Sequence, residues 1–312
     1  MLSTARINEP VLAGLRQSNL AEIVAVASRE QARAEAYAHE HGIDRAHGSY
    51  DALLADADVE AVYISLPNSL HVEWSIRALD AGKHVLCEKP LSRHPDDVAH
   101  AFDAAERAHR LLMEGFMYRH HPQTRKLEEL VASGAIGELR HVRAAFSFLL
   151  DDPANVRLRP ELDGGAVMDL GCYCISQIRL LAGEPELVFG RQRIGPTGVD
   201  VRFVALLQFS NDVSAEVYCA FDAAETSALE AIGSDGVVLA TDPVRIRDPH
   251  VELNGERIDV EDADRYFLQI ENFSAAIRGE AEPLLGRDDA LGQARTIDAL
   301  YRSAGSGVAV SL

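Results

Sequence analysis

No apolar run in this chain of 312 residues approaches the roughly 20 that a membrane-spanning helix needs. Nothing at the N-terminus reads as a signal peptide. Positive charge is scarce: 30 Lys and Arg stand against 49 Asp and Glu, a formal charge of −19. Such a surface repels phosphate backbones and anionic headgroups, so neither a nucleic acid nor a membrane is expected as a partner. Cysteine is scarce too. Cys87, Cys172, Cys174 and Cys219 form no C-x-x-C pair and have no His at ligand spacing. They read as reduced, buried thiols of a cytoplasmic protein with no metal site. Repeats, low-complexity tracts and a flexible interdomain linker are absent as well. One further absence bears on the fold. The chain opens Met1-Leu2-Ser3-Thr4-Ala5-Arg6-Ile7, without the apolar strand and glycine-rich turn that begin a dinucleotide-binding domain.

What is present is a globular composition, 47% hydrophobic and 25% charged, long enough for two domains. Apolar runs at 23–27, 59–65, 84–88 and 111–115 alternate with amphipathic segments at 31–41, 71–82 and 96–109. That alternation predicts right-handed βαβ units and a doubly wound parallel sheet, a dinucleotide-type domain over residues 1–121. Beyond it the pattern changes. A helix over 123–133 is followed by long alternating strands at 139–149, 201–209, 213–221 and 229–232, then by helices over 266–279 and 288–302 and a last strand at 308–310. Antiparallel pairing dominates this second domain, residues 122–312.

Candidate functional residues fall at the carboxyl ends of the parallel strands, where open α/β sheets collect ligands. The run His84-Val85-Leu86-Cys87-Glu88-Lys89-Pro90 reads as a buried strand delivering Lys89 to its tip, as proton donor or charge anchor. Pro90 biases Lys89 toward extended geometry, and a cis bond there would re-aim the side chain. The plainer alternative is a strand ended by solvated charges. Ser3, Thr4 and Ala5 occupy the turn before a helix beginning at Asn8. They either present backbone N–H groups to a pyrophosphate or serve as an ordinary Ser/Thr cap. At the tip of the next strand, Ser28 and Arg29 suit a ribose 2′-phosphate and so favour NADP, whereas Glu30 is placed to reach an unphosphorylated ribose of NAD. After the strand at 59–65, Leu66, Pro67 and Asn68 form a turn, and Asn68 or His71 is placed to touch ribose or phosphate, or to cap and start a helix. Further on, Gly164 to Tyr173 opens a helix that puts Asp169 and Tyr173, four apart, on one face. Either that face is functional or Tyr173 simply packs with its hydroxyl on Asp169.

Glu88-Lys89-Pro90, Glu114-Gly115-Phe116-Met117-Tyr118-Arg119, Asn155-Val156-Arg157 and Asp169-Leu170-Gly171-Cys172-Tyr173 together resemble the superfamily of glucose-fructose oxidoreductase, inositol dehydrogenase and related sugar dehydrogenases. The likeness runs in order through almost the whole chain. It is strongest to the branch with xylose dehydrogenases and dimeric dihydrodiol dehydrogenase. The resemblance implies a Rossmann domain followed by an α+β domain built on a large open, mainly antiparallel sheet whose outer face commonly forms a homodimer. It implies an NADP or NAD cofactor held by Ser3, Thr4, Ala5, Arg6, Ser28, Arg29, Leu66, Pro67, Asn68, His71 and Glu88, and a sugar, polyol or dihydrodiol substrate. It also implies that Lys89, Asp169 and Tyr173 meet at the nicotinamide. There Tyr173 would be the acid/base, its phenolate favoured by the Lys89 ammonium. Asp169 would hold a hydroxyl or orient Lys89, and Tyr118 and Arg157 would position the substrate. The departure is the opening. Without a first strand the parallel sheet is expected to lack its middle, with the backbone groups of its neighbours unpaired. A start codon placed too late would explain that; so would a shortened relative that binds nucleotide without catalysis.

Overall fold

The structure is a computed structural model that describes Met1–Leu312. Its first part runs α1 (Asn8–Leu15), β1 (Ala25–Ala27), α2 (Gln31–His41), β2 (Arg45–His47), α3 (Tyr50–Leu54), β3 (Ala61–Ile64), α4 (His71–Asp80), β4 (His84–Glu88), α5 (Pro95–Ala108) and β5 (Leu112–Gly115). Next come α6 (Pro122–Ala132), β6 (Leu139–Ser147), α7 (Cys172–Ala182), β7 (Leu187–Ile194), β8 (Asp200–Gln208), β9 (Ser214–Ala220) and β10 (Thr226–Gly233). The chain closes with β11 (Val237–Thr241), β12 (His250–Leu253), β13 (Glu256–Asp259), α8 (Arg265–Ile277), α9 (Arg287–Ser306) and β14 (Val310–Ser311).

Two compact units result, Met1–Met117 with Asp264–Ala290, and Tyr118–Ala263 with Leu291–Leu312. The first is therefore not the single segment 1–121 that the sequence pattern suggests. Residues 264–290 return to it because α8 packs against α1. Gly14 makes that packing close: a Cβ there would lie 2.6 Å from the backbone N of Phe267. Asp264 starts α8 as its N-cap, accepting from the Tyr266 and Phe267 amides.

In the first unit β1 pairs with β2, and β3, β4 and β5 pair in turn, all parallel. The strands are buried because helices cover them. Val26, Ile64, Val85 and Met113 are fully buried, and α5 turns Val98, Ala101, Phe102, Ala104 and Ala105 inward. The expected gap in the middle is not there. Leu2 bridges Ala27 on one side and Ile64 on the other, both in parallel sense. The amides of Leu2 and Ser3 donate to the Tyr63 and Ala27 carbonyls at 2.8 and 3.2 Å, and the Ala27 and Ser65 amides donate to the Met1 and Leu2 carbonyls at 3.0 and 3.3 Å. Three residues thus fill the central slot, giving the order β2, β1, Met1–Ser3, β3, β4, β5. A buried ladder group left unpaired is costly, and one short extended segment with an apolar side chain is enough to prevent that here.

The second unit is built on a nine-stranded sheet in the order β13, β12, β11, β10, β6, β9, β8, β7, β14. Every pairing is antiparallel except that of β6 with β9. One face is covered, with α7 packed on β6 and β9. The strands read accordingly. On β8, Phe203, Ala205 and Leu207 are buried, while Val204 and Leu206 on the other face are 47% and 55% exposed.

Candidate active site

In the first unit the predicted residues do gather at the carboxyl ends of the parallel strands. Ser3 leaves the central slot with φ 110°, a backbone region that favours glycine. Its strain is held by side-chain contacts: Ser3 Oγ lies 2.8 Å from Ser65 Oγ and donates to the Ser65 carbonyl, and Asn8 Nδ2 donates to the Ser3 carbonyl at 2.8 Å. The chain thus turns as a glycine would turn it, and Thr4, Ala5 and Arg6 follow before α1. A small-residue turn leaving a central strand is what close approach of a dinucleotide pyrophosphate needs, so these residues fit the cofactor that the sequence implies.

At the end of β1, Ser28 is buried and its amide donates to the His47 carbonyl, while Arg29 is exposed. Arg33, one turn into α2, donates from Nε to Thr4 Oγ1 at 2.8 Å and so joins the same group. Both guanidiniums act on Tyr50, whose phenol burial pushes up and the two cations pull down. At the end of β3, Pro67 leads into a one-turn 3₁₀ helix, Asn68–Leu70, with Leu66 buried beneath it.

Lys89 follows β4, and the Lys89-Pro90 bond is cis. The loop is pinned from both sides. Glu88 accepts from the Tyr63 hydroxyl at 2.5 Å and from the Lys89 amide at 3.3 Å, and the buried Glu114 accepts from the Leu91 amide at 2.7 Å. Tyr266 of α8 lies near enough to feel Glu88; burial foremost, with that charge, pushes its phenol up to about 12.

His71 stands otherwise than expected. It is buried, its two ring nitrogens 2.8 Å from the carbonyl oxygens of Pro90 and Leu66. The ring ties the loop after β3 to the loop carrying Lys89 and presents no nitrogen to a ribose. Burial holds its imidazole below the ordinary range, against the pull of the two carbonyls.

In the second unit Arg157, Asp169 and Tyr173 come together. Asp169 sits not in an α-helix but in a π-helical turn, Val167–Gly171, that runs into α7. Such turns are rare and concentrate at functional sites. Arg157, in a 3₁₀ turn capped by Asn155, donates from Nε to Asp169 Oδ2 at 2.6 Å. The Gly165 amide donates to the Arg157 carbonyl at 2.9 Å, holding that turn against the π turn. Asp169 first, then Tyr173, holds the Arg157 guanidinium above its ordinary range, so all three share one electrostatic environment. Asp169 thus bonds Arg157 in this structure, which joins the substrate-positioning candidate to the face of the helix opening.

Tyr118 corrects a second expectation. It is fully buried, and its hydroxyl donates to Ser176 Oγ at 2.8 Å. Its ring meets Tyr173 edge-on at 5.9 Å, and Phe146 closes the other side at 6.0 Å. Tyr118 therefore steadies the Tyr173 ring and offers no hydroxyl to a substrate. Phe146, Ser176, Arg33 and Glu114 are the supporting residues that sequence pattern does not mark; only Glu114 stands inside a recognised motif.

A parallel sheet with a bent small-residue turn at its central position, a lysine at the next strand tips and a separate Arg–Asp–Tyr constellation defines a nicotinamide-linked oxidoreductase. The comparisons specify it further. Residues 4–116 match the model of the oxidoreductase family with an NAD-binding Rossmann fold, GFO/IDH/MocA, and residues 124–239 match the GFO/IDH/MocA C-terminal domain. The chain is 40% identical to D-xylose 1-dehydrogenase (NADP(+)) 2 of Haloferax volcanii over 100% of its own length and 98% of that protein's. It is 32% identical to trans-1,2-dihydrobenzene-1,2-diol dehydrogenase of Danio rerio over 79% of this chain and 80% of that one. Among solved structures, a 3-ketoreductase from Actinomadura kijaniata in complex with NADP and TDP-benzene superposes with TM-score 0.92 at 32% identity, covering 97% of this chain and 96% of that one. The chain belongs to the GFO/IDH/MocA family of oxidoreductases.

Proposed function

We propose that this protein is an NADP-preferring oxidoreductase that interconverts a hydroxyl and a carbonyl on an aldose or a related polyol or dihydrodiol, with Tyr173 as acid/base. The observation that carries the reading is the Arg157–Asp169–Tyr173 group, with Asp169 on the π turn that runs into α7. A nicotinamide, when bound, supplies the hydride acceptor or donor. The Tyr173 phenolate oxygen takes the proton of the reacting hydroxyl in one direction, and the resulting phenol returns it to the carbonyl oxygen in the other. Lys89 is its electrostatic partner, its backbone fixed by Glu88 and the loop beyond it by Glu114. Arg157 and Asp169 hold neighbouring hydroxyls, since a polyol needs several donors and acceptors at once.

Arg29, with Arg33 beside it, reads the 2′-phosphate in an otherwise acidic chain. The names of the relatives, a xylose dehydrogenase with NADP(+) and a ketoreductase bound to NADP, support the same cofactor and substrate class. The protein works as a homodimer through the open face of the nine-stranded sheet, where Val204 and Leu206 stand exposed. A nucleotide-binding protein without catalysis had its main ground in a missing central strand, and that slot is filled. The test is the near-ultraviolet absorbance of reduced nicotinamide with a panel of aldoses and dihydrodiols and both cofactors. Turnover of an aldose with NADP is expected, and no turnover across the panel would overturn the reading.

A further inference from the structure

A buried carboxylate outside the Arg157–Asp169–Tyr173 group bonds the start of the π turn that carries Asp169. Asp200, at the start of β8, is 3% exposed. Its Oδ2 accepts from the Val167 amide at 2.8 Å and its Oδ1 from the Tyr301 hydroxyl at 2.8 Å. Tyr301 belongs to α9, and its ring is fixed edge-on against Phe203 at 6.0 Å. Gly165 lets the carboxylate come this near: its φ is 125°, and a Cβ there would overlap Asp200 Oδ1. Segments far apart in sequence therefore converge on one side chain.

The Val167 amide is the first of the π turn, two residues before Asp169. A helical start needs acceptors for its leading N–H groups, normally from a local Ser, Thr, Asp or Asn. Here Ala166 stands at the N-cap and has no side-chain acceptor to offer. The acceptor comes from another strand. We infer that Asp200 is a positioning residue of this site: by receiving the Val167 amide and the Tyr301 hydroxyl it fixes the π turn, and with it Asp169 and Tyr173, in the geometry that proton transfer needs. This rests on the reading of Tyr173 as the acid/base.

The arrangement has a pH signature. Burial pushes the Asp200 carboxyl up to about 6, against the pull of the Val167 amide and the Tyr301 hydroxyl. The groups facing it are those two, the Ala166 amide and the Cys219 thiol, itself held up by burial and by the charge on Asp200. Above that value both carboxylate oxygens accept. Below it the added proton turns one oxygen toward donating, where it faces a donor, and the hold on the turn weakens.

The experiment compares Asp200→Asn and Tyr301→Phe with the unaltered protein, with Tyr173→Phe alongside. Asp200→Asn puts an amide donor where an acceptor is needed and should lower kcat for the aldose reaction about 10- to 100-fold, the range for a displaced catalytic group. KM for NADP should stay within about twofold, because the cofactor residues lie elsewhere. Hydrogen exchange across residues 166–171 should speed up. Tyr301→Phe removes one donor to the ionised form, so the acid limb of its kcat profile should move to higher pH while its maximum is retained. If Asp200→Asn and Tyr301→Phe keep normal kcat and an unmoved acid limb while Tyr173→Phe loses turnover, the positioning role fails and the acid/base reading stands. If Tyr173→Phe keeps turnover, that reading itself has failed. If Asp200→Asn does not fold, the shift of the acid limb in Tyr301→Phe decides alone.

Discussion

The Arg157 guanidinium and the Asp169 carboxylate share a hydrogen bond of 2.6 Å, Asp169 being 18% exposed and Arg157 43%. The pair is partly open to solvent, and Tyr173 belongs to the electrostatic environment of its guanidinium.

Removing the Tyr173 hydroxyl should therefore cost at least about 10²-fold in kcat with cofactor binding intact, the range for a lost general acid/base. Steady-state kinetics of Tyr173→Phe, with NADPH binding followed by fluorescence, measures both quantities. Lys89→Ala should be as severe and should change the shape of the pH-rate profile. Near-normal turnover in the first variant, or an unchanged profile in the second, would count against the assignment.

Cofactor choice should depend on two arginines. Arg29→Ala should weaken NADP by roughly 1 to 3 kcal/mol, as expected for a charge-assisted phosphate contact, and leave NAD little changed. Arg33→Ala should act in the same direction and also loosen Thr4, its partner at 2.8 Å. Calorimetric Kd values for both cofactors test this, and equal losses for the two would show that neither arginine reads the 2′-phosphate.

The central slot offers a stability test. Leu2 is fully buried between β1 and β3. Leu2→Ala should destabilise the protein by about 2 to 5 kcal/mol, as other buried leucine truncations do, and should weaken NADP binding because Ser3 follows directly. Urea unfolding gives the first and titration the second. A loss below about 1 kcal/mol would mean that the neighbouring strands hold together without it.

The open sheet face should behave as an interface. Leu206→Glu places a charge among Val204 and its neighbours and should yield monomers by light scattering while kcat remains. A dimer that persists unchanged would move the interface elsewhere.

Stability should carry the mark of Asp200. Its folded-state value of about 6 lies above the ordinary 3.8. The folded chain therefore holds more protons than the unfolded one within that window, so this group's contribution falls as pH rises through it and is constant above. The shift corresponds to about 2 to 3 kcal/mol. The difference in unfolding free energy between the unaltered protein and Asp200→Asn should change by that order from pH 4 to pH 7, in the variant's favour. A flat difference would show that Asp200 titrates as it does in the unfolded chain.

Much of the fold was legible because its signals are local. The strands at β3, β4 and β5 and helices α2, α4 and α5 follow from apolar runs and amphipathic periods. The central slot was not legible: one bridging residue has no period, and Leu2 is recognisable only by its partners on β1 and β3. Strands β7 and β11 to β13 are not marked either, since no turn signal of the kind that frames β8 and β9 sets them off and their pairing is fixed only by neighbours in the nine-stranded sheet. Motifs marked Lys89, Asp169 and Tyr173 as candidates, but not what surrounds each of them. His71 and Tyr118 look functional by type, yet their polar atoms face Pro90, Leu66 and Ser176, contacts set only by tertiary packing. Asp200 carries no sequence signal at all, since its partners lie 33 and 101 positions away.

The return of α8 to α1 has a consequence for how the protein is made and how it can be cut. Residues 264–290 leave the ribosome only after nearly all of the second unit, so the α1 surface around Gly14 waits uncovered through most of synthesis. A gene fragment ending near residue 117 would encode that waiting form, whereas a transplantable cofactor module would need the 264–290 segment grafted back beside α1.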